Sequence, residues 1–496
     1  MGIKQALPVF CLALFCLTGL SSSPATAEPE HEDYDYSMID QHALNAPEDI
    51  KSSVETLVEY LIKPARNDRE RLRAIFRWIT HNIAYDTEGF FAELTEAEAA
   101  REEEVETVTE TPEEEQELQT EAATSESQAS QISEAITPEL VLQKGTADCD
   151  GYAVLTEALL SEALLGSVLG PTGAEAKTGA EAQAGVEGLA SALGTKIFSV
   201  KGFAKGYGYK VGRDFEGTNH AWNAVQLDGE WHFLDCTWGA GRPNEQNVFI
   251  REFEDYYFLT PPEELVYTHF PDYPSQQHLE TPVSKEGFVK LAYLWPAFFK
   301  YEMRLGNHPE SIIQTDSTVY LTLYARDSVL LMADLIKGQQ LLDESYVFIQ
   351  KDTTRYDIHA VFPLTGEYLL RLYAKLKGRE GSYKEILNYL VKTSARASQN
   401  SGFPLIYEQF RLQQGFVYSP LEGFLSPGQP QQFRLKVPGA RDVAVVIGEE
   451  WHHLEAQGDL FQGEVTLEPG VVAGVYARLH GKMTYEALLE YTVLEN

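Results

Sequence analysis

The stretch TNHAWNAVQLDGEWHFLDCTW, Thr218 to Trp238, has the pattern of a hairpin. Asp228-Gly229 is a strong two-residue turn signal. With Leu227 facing Glu230, the pairing runs outward and sets Trp222 opposite Asp235 and His220 opposite Thr237. Directly opposed residues share a face of the sheet, so His220 and Asp235 become diagonal neighbours roughly 7–8 Å apart at the backbone. A four-residue loop about the same centre keeps this pairing, and an odd loop puts the two on opposite faces. The bland reading is a lone His with an unrelated Asp on one strand pair. The sharper one is that the carboxylate bonds one imidazole nitrogen, fixes the tautomer and leaves the other nitrogen free to act.

Such a pair needs a nucleophile, and KGTADCDGYAVLTEALL (Lys144 to Leu160) offers Cys149. Lys144 to Asp148 reads as a turn and Tyr152 to Leu160 as a helix, which puts Cys149 at or near a helix N-terminus. There the dipole and free N–H groups favour a thiolate and can receive an oxyanion. Asp148 and Asp150 oppose that charge, and protonated His220 has to outweigh them. The plain alternative for Cys149 is a small buried hydrophobe. Cys236 adjoins Asp235 on the same strand and so points to the other face. It is expected to be buried and inert, and a bridge to Cys149 would require it on the site face.

The other two cysteines, Cys11 and Cys16, fall in the leader. Lys4, the apolar run Leu7 to Leu20, and Ala25-Thr26-Ala27 read as a signal peptide over residues 1–27, cleaved after Ala27. No later run is long and apolar enough to span a bilayer. The expectation is an exported chain, secreted or periplasmic. A formal net charge of −36 over 496 residues argues against nucleic acid as a partner.

NDRERLRAIFRWITHNIAYD (Asn67 to Asp86) repeats Leu72, Ile75, Phe76, Ile79 and Ile83 at helical spacing, with Asn67 as N-cap and Glu70 as its capping-box partner. Arg69, Glu70, Arg73 and Arg77 are expected outside, and residues 30 to 50 look poorly patterned. Two insertions interrupt the chain beyond this helix. Residues 88–134 are acidic and read as mostly disordered; residues 166–194 are rich in Ala and Gly and read as a flexible loop. After about Lys285, short strand runs such as TVYLTLYA and YLLRLYA suggest two related β-sandwich-like modules, over 285–395 and 401–496. Their tails share a signature: Tyr373, Tyr383 and Tyr389 in one, Tyr476, Tyr485 and Tyr491 in the other.

In order, a helix, a Cys at a helix start, a His-led strand and an Asp-bearing strand resemble the transglutaminase-like cysteine enzyme superfamily. RAIFRWITHNIAYDTEGF, GYAVL, NHAWNAVQLDGEWHFLDCTWGAG and DYYFLTPPEELVYTHFP look like its kyphoscoliosis-peptidase branch. The resemblance covers residues 45 to 272 without the insertions. It implies an α+β fold: a papain/transglutaminase-like core over 45–275, with a Cys-bearing helix on an antiparallel sheet, followed by the β-modules. It also implies Cys149 as nucleophile, His220 as general base and Asp235 as the orienting acid. The chain departs from the branch at Thr146-Ala147-Asp148-Cys149, where a small apolar pair usually precedes the nucleophile.

The function expected is a thiol peptidase or amidase acting on a protein or peptide through a thioacyl intermediate. A crosslinking transglutaminase and a non-catalytic protein-binding scaffold are the alternatives, and the β-modules suit protein partners in either case. No cofactor or metal is expected; the acidic insertion lacks the spaced Asp/Asn/Gly pattern of a calcium loop. His232, His452 and His453 are expected on surfaces or strands.

Overall fold

The computed structural model describes residues 34–92, 135–169, 196–206, 208–244, 246–398 and 400–495. The signal peptide reading over 1–27 and nearly all of both insertions lie outside these residues.

The first unit is α+β. Three helices open it: α1 (Ser37–Leu44), α2 (Val54–Leu61) and α3 (Asp68–Asn82). In α3 the Asn67 side chain caps Glu70 N at 2.8 Å. Leu72, Ile75, Phe76 and Ile79 are fully buried, as their spacing requires. Arg73 is a correction: it is 4% exposed, not outside. Its guanidinium takes Asp40 in a fork at 2.6 and 2.7 Å and also bonds Asp255. A buried cation is tolerable only when so paired. Residues 37–44 are likewise helical rather than unpatterned, because α1 packs against α3.

After α3, β1 (Ala84–Tyr85) runs parallel to β2 (Thr146–Ala147), which follows α4 (Pro138–Lys144). The segment read as one long turn therefore holds a short strand. Residues 87–92, the described start of the acidic insertion, are helical. Helix α5 (Cys149–Leu169) continues through residues 166–169, past the boundary drawn for the second insertion. It packs on a four-stranded antiparallel sheet in the order β5 (Glu230–Leu234), β4 (His220–Leu227), β3 (Ile197–Ala204), β6 (His269–Pro271). Trp78, Leu155, Leu159, Val225 and Leu234 are among the fully buried members of this core.

Two β-sandwich-like units follow, each built about a hydrophobic core, the second of which also takes in Phe348 from the first unit. In the first, strands 318–324, 355–361 and 347–352 oppose strands 384–393, 366–376 and 329–337. The second repeats that order with 430–436, 460–466 and 455–457 against 486–493, 472–479 and 440–447. The shared tyrosine signature has a common physical use. Tyr389 donates its hydroxyl to His308 O at 2.6 Å, and Tyr491 donates to Pro420 O at 3.0 Å. Both rings are buried, and each tail strand is tied to a preceding loop in the same way.

Candidate active site

The hairpin has the register read from its turn. Leu227 pairs with Glu230, and the ladder runs to Asn223 opposite Leu234. Asp228 at φ 54° and Gly229 at φ 91° make the left-handed turn that the strand twist requires. The extrapolation fails at the next residue. Asp235 leaves the strand and caps a short helix, α6 (Cys236–Ala240), by accepting Trp238 N at Oδ1, 2.9 Å. Thr237 is therefore helical and does not face His220.

The carboxylate still reaches the imidazole. His220 Nε2 lies 2.8 Å from Asp235 Oδ2, and both side chains are buried. That leaves Nδ1 free, and Cys149 lies close enough to the ring to favour its charged form. Burial works against the His220 imidazolium. The Asp235 charge and hydrogen bond, with the Cys149 contact, outweigh it and lift the pKa from 6.5 to about 10. Burial also opposes ionisation of Asp235, but its two histidine partners hold it well below the usual carboxylate range.

Cys149 is the first residue of α5 and is partly exposed. The approach of this helix is fixed from several sides. Asp148 Oδ1 caps Gly151 N at 2.8 Å, and Tyr152 donates its hydroxyl to Ile83 O at 2.6 Å. Asn223 Nδ2 and Ser199 Oγ both donate to Ala153 O, at 3.0 and 3.3 Å. The two acids flanking the thiol are largely spent: Asp148 on the cap, and Asp150 on Lys201 Nζ at 2.9 Å. Lys201 brings a positive charge to the helix start, and its own pKa is raised, first by its bond to Asp150.

Cys236 is free, 3% exposed and held protonated chiefly by burial. Cys149 is also free, so the two form no bridge. His232 is half-buried on β5, His453 bonds Asp442 at 2.9 Å, and His452 sits beside Glu450.

The structure adds one residue that sequence reasoning missed. His269, on β6, places Nε2 3.0 Å from the same Asp235 Oδ2, while Thr268 Oγ1 lies 2.9 Å from its Nδ1. Its ring is packed by Trp238 at 4.5 Å and Trp222 at 5.0 Å. The only clue was its position beside Thr268 in VYTHFP; nothing in its local pattern tied it to Asp235. His220, Asp235 and His269 offer ligand atoms within 4.8 Å of one another. A cation there would first have to displace both N–H protons from the carboxylate oxygen, which hydrogen bonds already satisfy.

The transglutaminase-like domain family matches residues 52–182, and the KY-like, immunoglobulin-like domain family matches residues 285–404. The kyphoscoliosis peptidase of Mus musculus is 29% identical over 347 residues, 69% of this chain and 41% of that protein. The kyphoscoliosis peptidase of Homo sapiens is 28% identical over 346 residues with the same coverage. The Lim and transglutaminase domain protein ltd-1 of Caenorhabditis elegans is 29% identical over 237 residues, 41% of this chain and 32% of that protein. The chain thus spans about two-fifths of the length of the first two relatives. With a transglutaminase-like domain ahead of a KY-like immunoglobulin-like domain on an α+β core, the chain is similar to the kyphoscoliosis-peptidase-like branch of the transglutaminase-like superfamily.

Proposed function

We propose that the chain is an exported cysteine hydrolase, a peptidase or amidase that cleaves a protein or peptide through a thioacyl intermediate. The observation that carries this reading is Cys149 at the first residue of α5, beside a buried imidazole that is itself held 2.8 Å from Asp235. His220 Nδ1 takes the thiol proton, and Sγ attacks the carbonyl carbon. The Cys149 backbone N–H, among the helix N–H groups with no intrahelical acceptor, receives the oxyanion. The C–N bond breaks as the imidazolium returns its proton to the leaving amine. Water then adds to the thioester while His220 accepts its proton, the C–S bond breaks, and the acid product leaves.

Hydrolysis is favoured over crosslinking because the two relatives covering most of this chain are named peptidases. The β-units would serve to hold a protein partner. Export rests on residues 1–27, and N-terminal sequencing of the mature protein tests it.

The direct test is the alkylation rate of Cys149 against pH, with Cys236 as internal control. Fast reaction well below pH 8, abolished by His220→Ala, supports the thiolate–imidazolium pair. A Cys149 that reacts like an ordinary thiol overturns the enzyme reading and leaves the scaffold alternative. With a reactive thiol, amine incorporation from a labelled lysine peptide in preference to water would replace hydrolase by crosslinker.

A further inference from the structure

The geometry points to His269 as a positioning residue: it donates Nε2–H to the oxygen that holds His220, and so sets how firmly Asp235 grips the His220 proton. The inference rests on the reading of His220 as the base of the proposed site.

An ionised carboxylate only accepts, so each nitrogen facing Asp235 must carry a proton. Oδ2 takes two of them, from His220 at 2.8 Å and from His269 at 3.0 Å, while Oδ1 takes Trp238 N at 2.9 Å. One carboxylate can balance one imidazolium here. A second would leave an uncompensated charge among side chains that are all buried. Cys149 contacts His220, so the cation belongs there and His269 is neutral. With Nε2–H turned to Asp235, Nδ1 accepts from the Thr268 hydroxyl at 2.9 Å, a shorter contact than that hydroxyl's alternative acceptor, Leu265 O at 3.3 Å. Burial, partly offset by Asp235, agrees: it pushes the His269 pKa down to about 4.

The groups facing the His269 ring come from four directions: Asp235 at the end of β5, His220 on β4, Trp238 on α6 and Tyr257. The ring cannot drift, because β6 is laddered to β3 through Ala204 with His269 and Gly202 with Pro271. Two donors on one oxygen compete. Each draws on the same lone pairs, and each stabilises the carboxylate and makes it a weaker base toward the other. Without the His269 donor, Asp235 binds the His220 proton alone and more tightly.

The test is nitrogen-15 NMR of imidazole-labelled full-length protein. In the wild type at pH 7, His269 should show a neutral ring protonated on Nε2. A doubly protonated ring, or the Nδ1–H tautomer, overturns the proposal, and this measurement needs no variant to fold. The variants sharpen it. His269→Gln puts an amide nitrogen near the place of Nε2, whereas His269→Asn stops near Nδ1. His269→Asn should raise the His220 midpoint by about half a pH unit or more, and His269→Gln should keep it near wild type. An unchanged or lower midpoint in His269→Asn, or equal shifts in both, refutes the positioning role. Cys149 alkylation fails separately: a slow thiol beside the expected His269 spectrum sinks the hydrolase and leaves the hydrogen-bond assignment intact.

Discussion

Asp235→Asn changes one buried atom and should disable the thiol. In the wild type the His220 pKa stands at about 10 against 6.5 for a free imidazole. At about 1.4 kcal/mol per pH unit, that gap is about 5 kcal/mol in favour of the imidazolium, with Asp235 its largest support. Asn is nearly isosteric, and its carbonyl can still cap Trp238 N. Its NH2 then faces His220 and His269 where the carboxylate accepted two N–H bonds. His220 has to turn its Nε2 lone pair to that amide, which moves the proton to Nδ1, the nitrogen that should receive the thiol proton. Burial then acts against the cation with only the thiol to oppose it, and the pKa falls below 6.5. At pH 6 a free thiol with pKa about 8.5 is only about 0.3% thiolate, whereas thiols paired with an imidazolium are in general largely ionised at that pH. A more basic thiolate is intrinsically the better nucleophile, so the net fall in alkylation rate is on the order of 100-fold. The assay is iodoacetamide labelling at pH 6 read by mass spectrometry, with circular dichroism confirming the fold. A rate within a few-fold of wild type would refute the argument that Asp235 sustains the pair.

Three further outcomes are expected in other parts of the core. The depressed His269 pKa, about 4 against 6.5 when unfolded, confers stability that is present above pH 6.5 and lost as pH falls toward 4. That loss amounts to about 3 kcal/mol, and urea titrations of wild type and His269→Gln at pH 7.5 and 5 should show a smaller loss in the variant. Arg73→Ala leaves Asp40 with only Arg77, 4.0 Å away, and Asp255 without its bonded cation, and should cost about 2 kcal/mol in the same titration. Gly202→Ala places a methyl 2.2 Å from Phe270 O and 2.8 Å from the Trp222 ring. It should force β6 away, at a cost of about 2 kcal/mol or more, and should slow Cys149 alkylation; a soluble variant with wild-type melting and labelling would contradict the tight β3–β6 approach.

What could be read from the sequence was local. Asp228-Gly229 sets the hairpin register from two residues, and Asn67 with the Leu72, Ile75, Phe76 spacing sets α3 from one turn and one face. Reading failed wherever a distant partner decides. The helical wheel put Arg73 outside, but its acids lie 33 and 182 residues away. Residues 37–44 have little periodicity of their own and are helical because α3 receives them. His269 is 34 residues beyond Asp235, and only the β3–β6 ladder brings it to the carboxylate. The hairpin itself was extended too far because two strong local rules conflict at Asp235: strand alternation would continue, but Asp followed by Cys-Thr-Trp-Gly-Ala starts a helix instead.

That conflict is also what makes the candidate site rigid. Had Asp235 remained in the strand, its carboxylate could turn about its last bond, and either oxygen could face His220. As the cap of α6 it has one oxygen committed to Trp238 N, so the plane of the group is fixed and Oδ2 alone is left to accept. Both imidazoles then converge on that one atom, and His269 is also held at its other nitrogen by Thr268. Trp238, whose amide sets the carboxylate, also lays its ring 5.2 Å from His220 and 4.5 Å from His269. Orientation is therefore set within the fold itself, the condition the proposed triad requires to lower a barrier without spending binding energy on ordering. The neighbouring Cys236 shows the contrast: one residue from the same carboxylate, it is the first residue of α6, buried and protonated, with no imidazole to receive its proton.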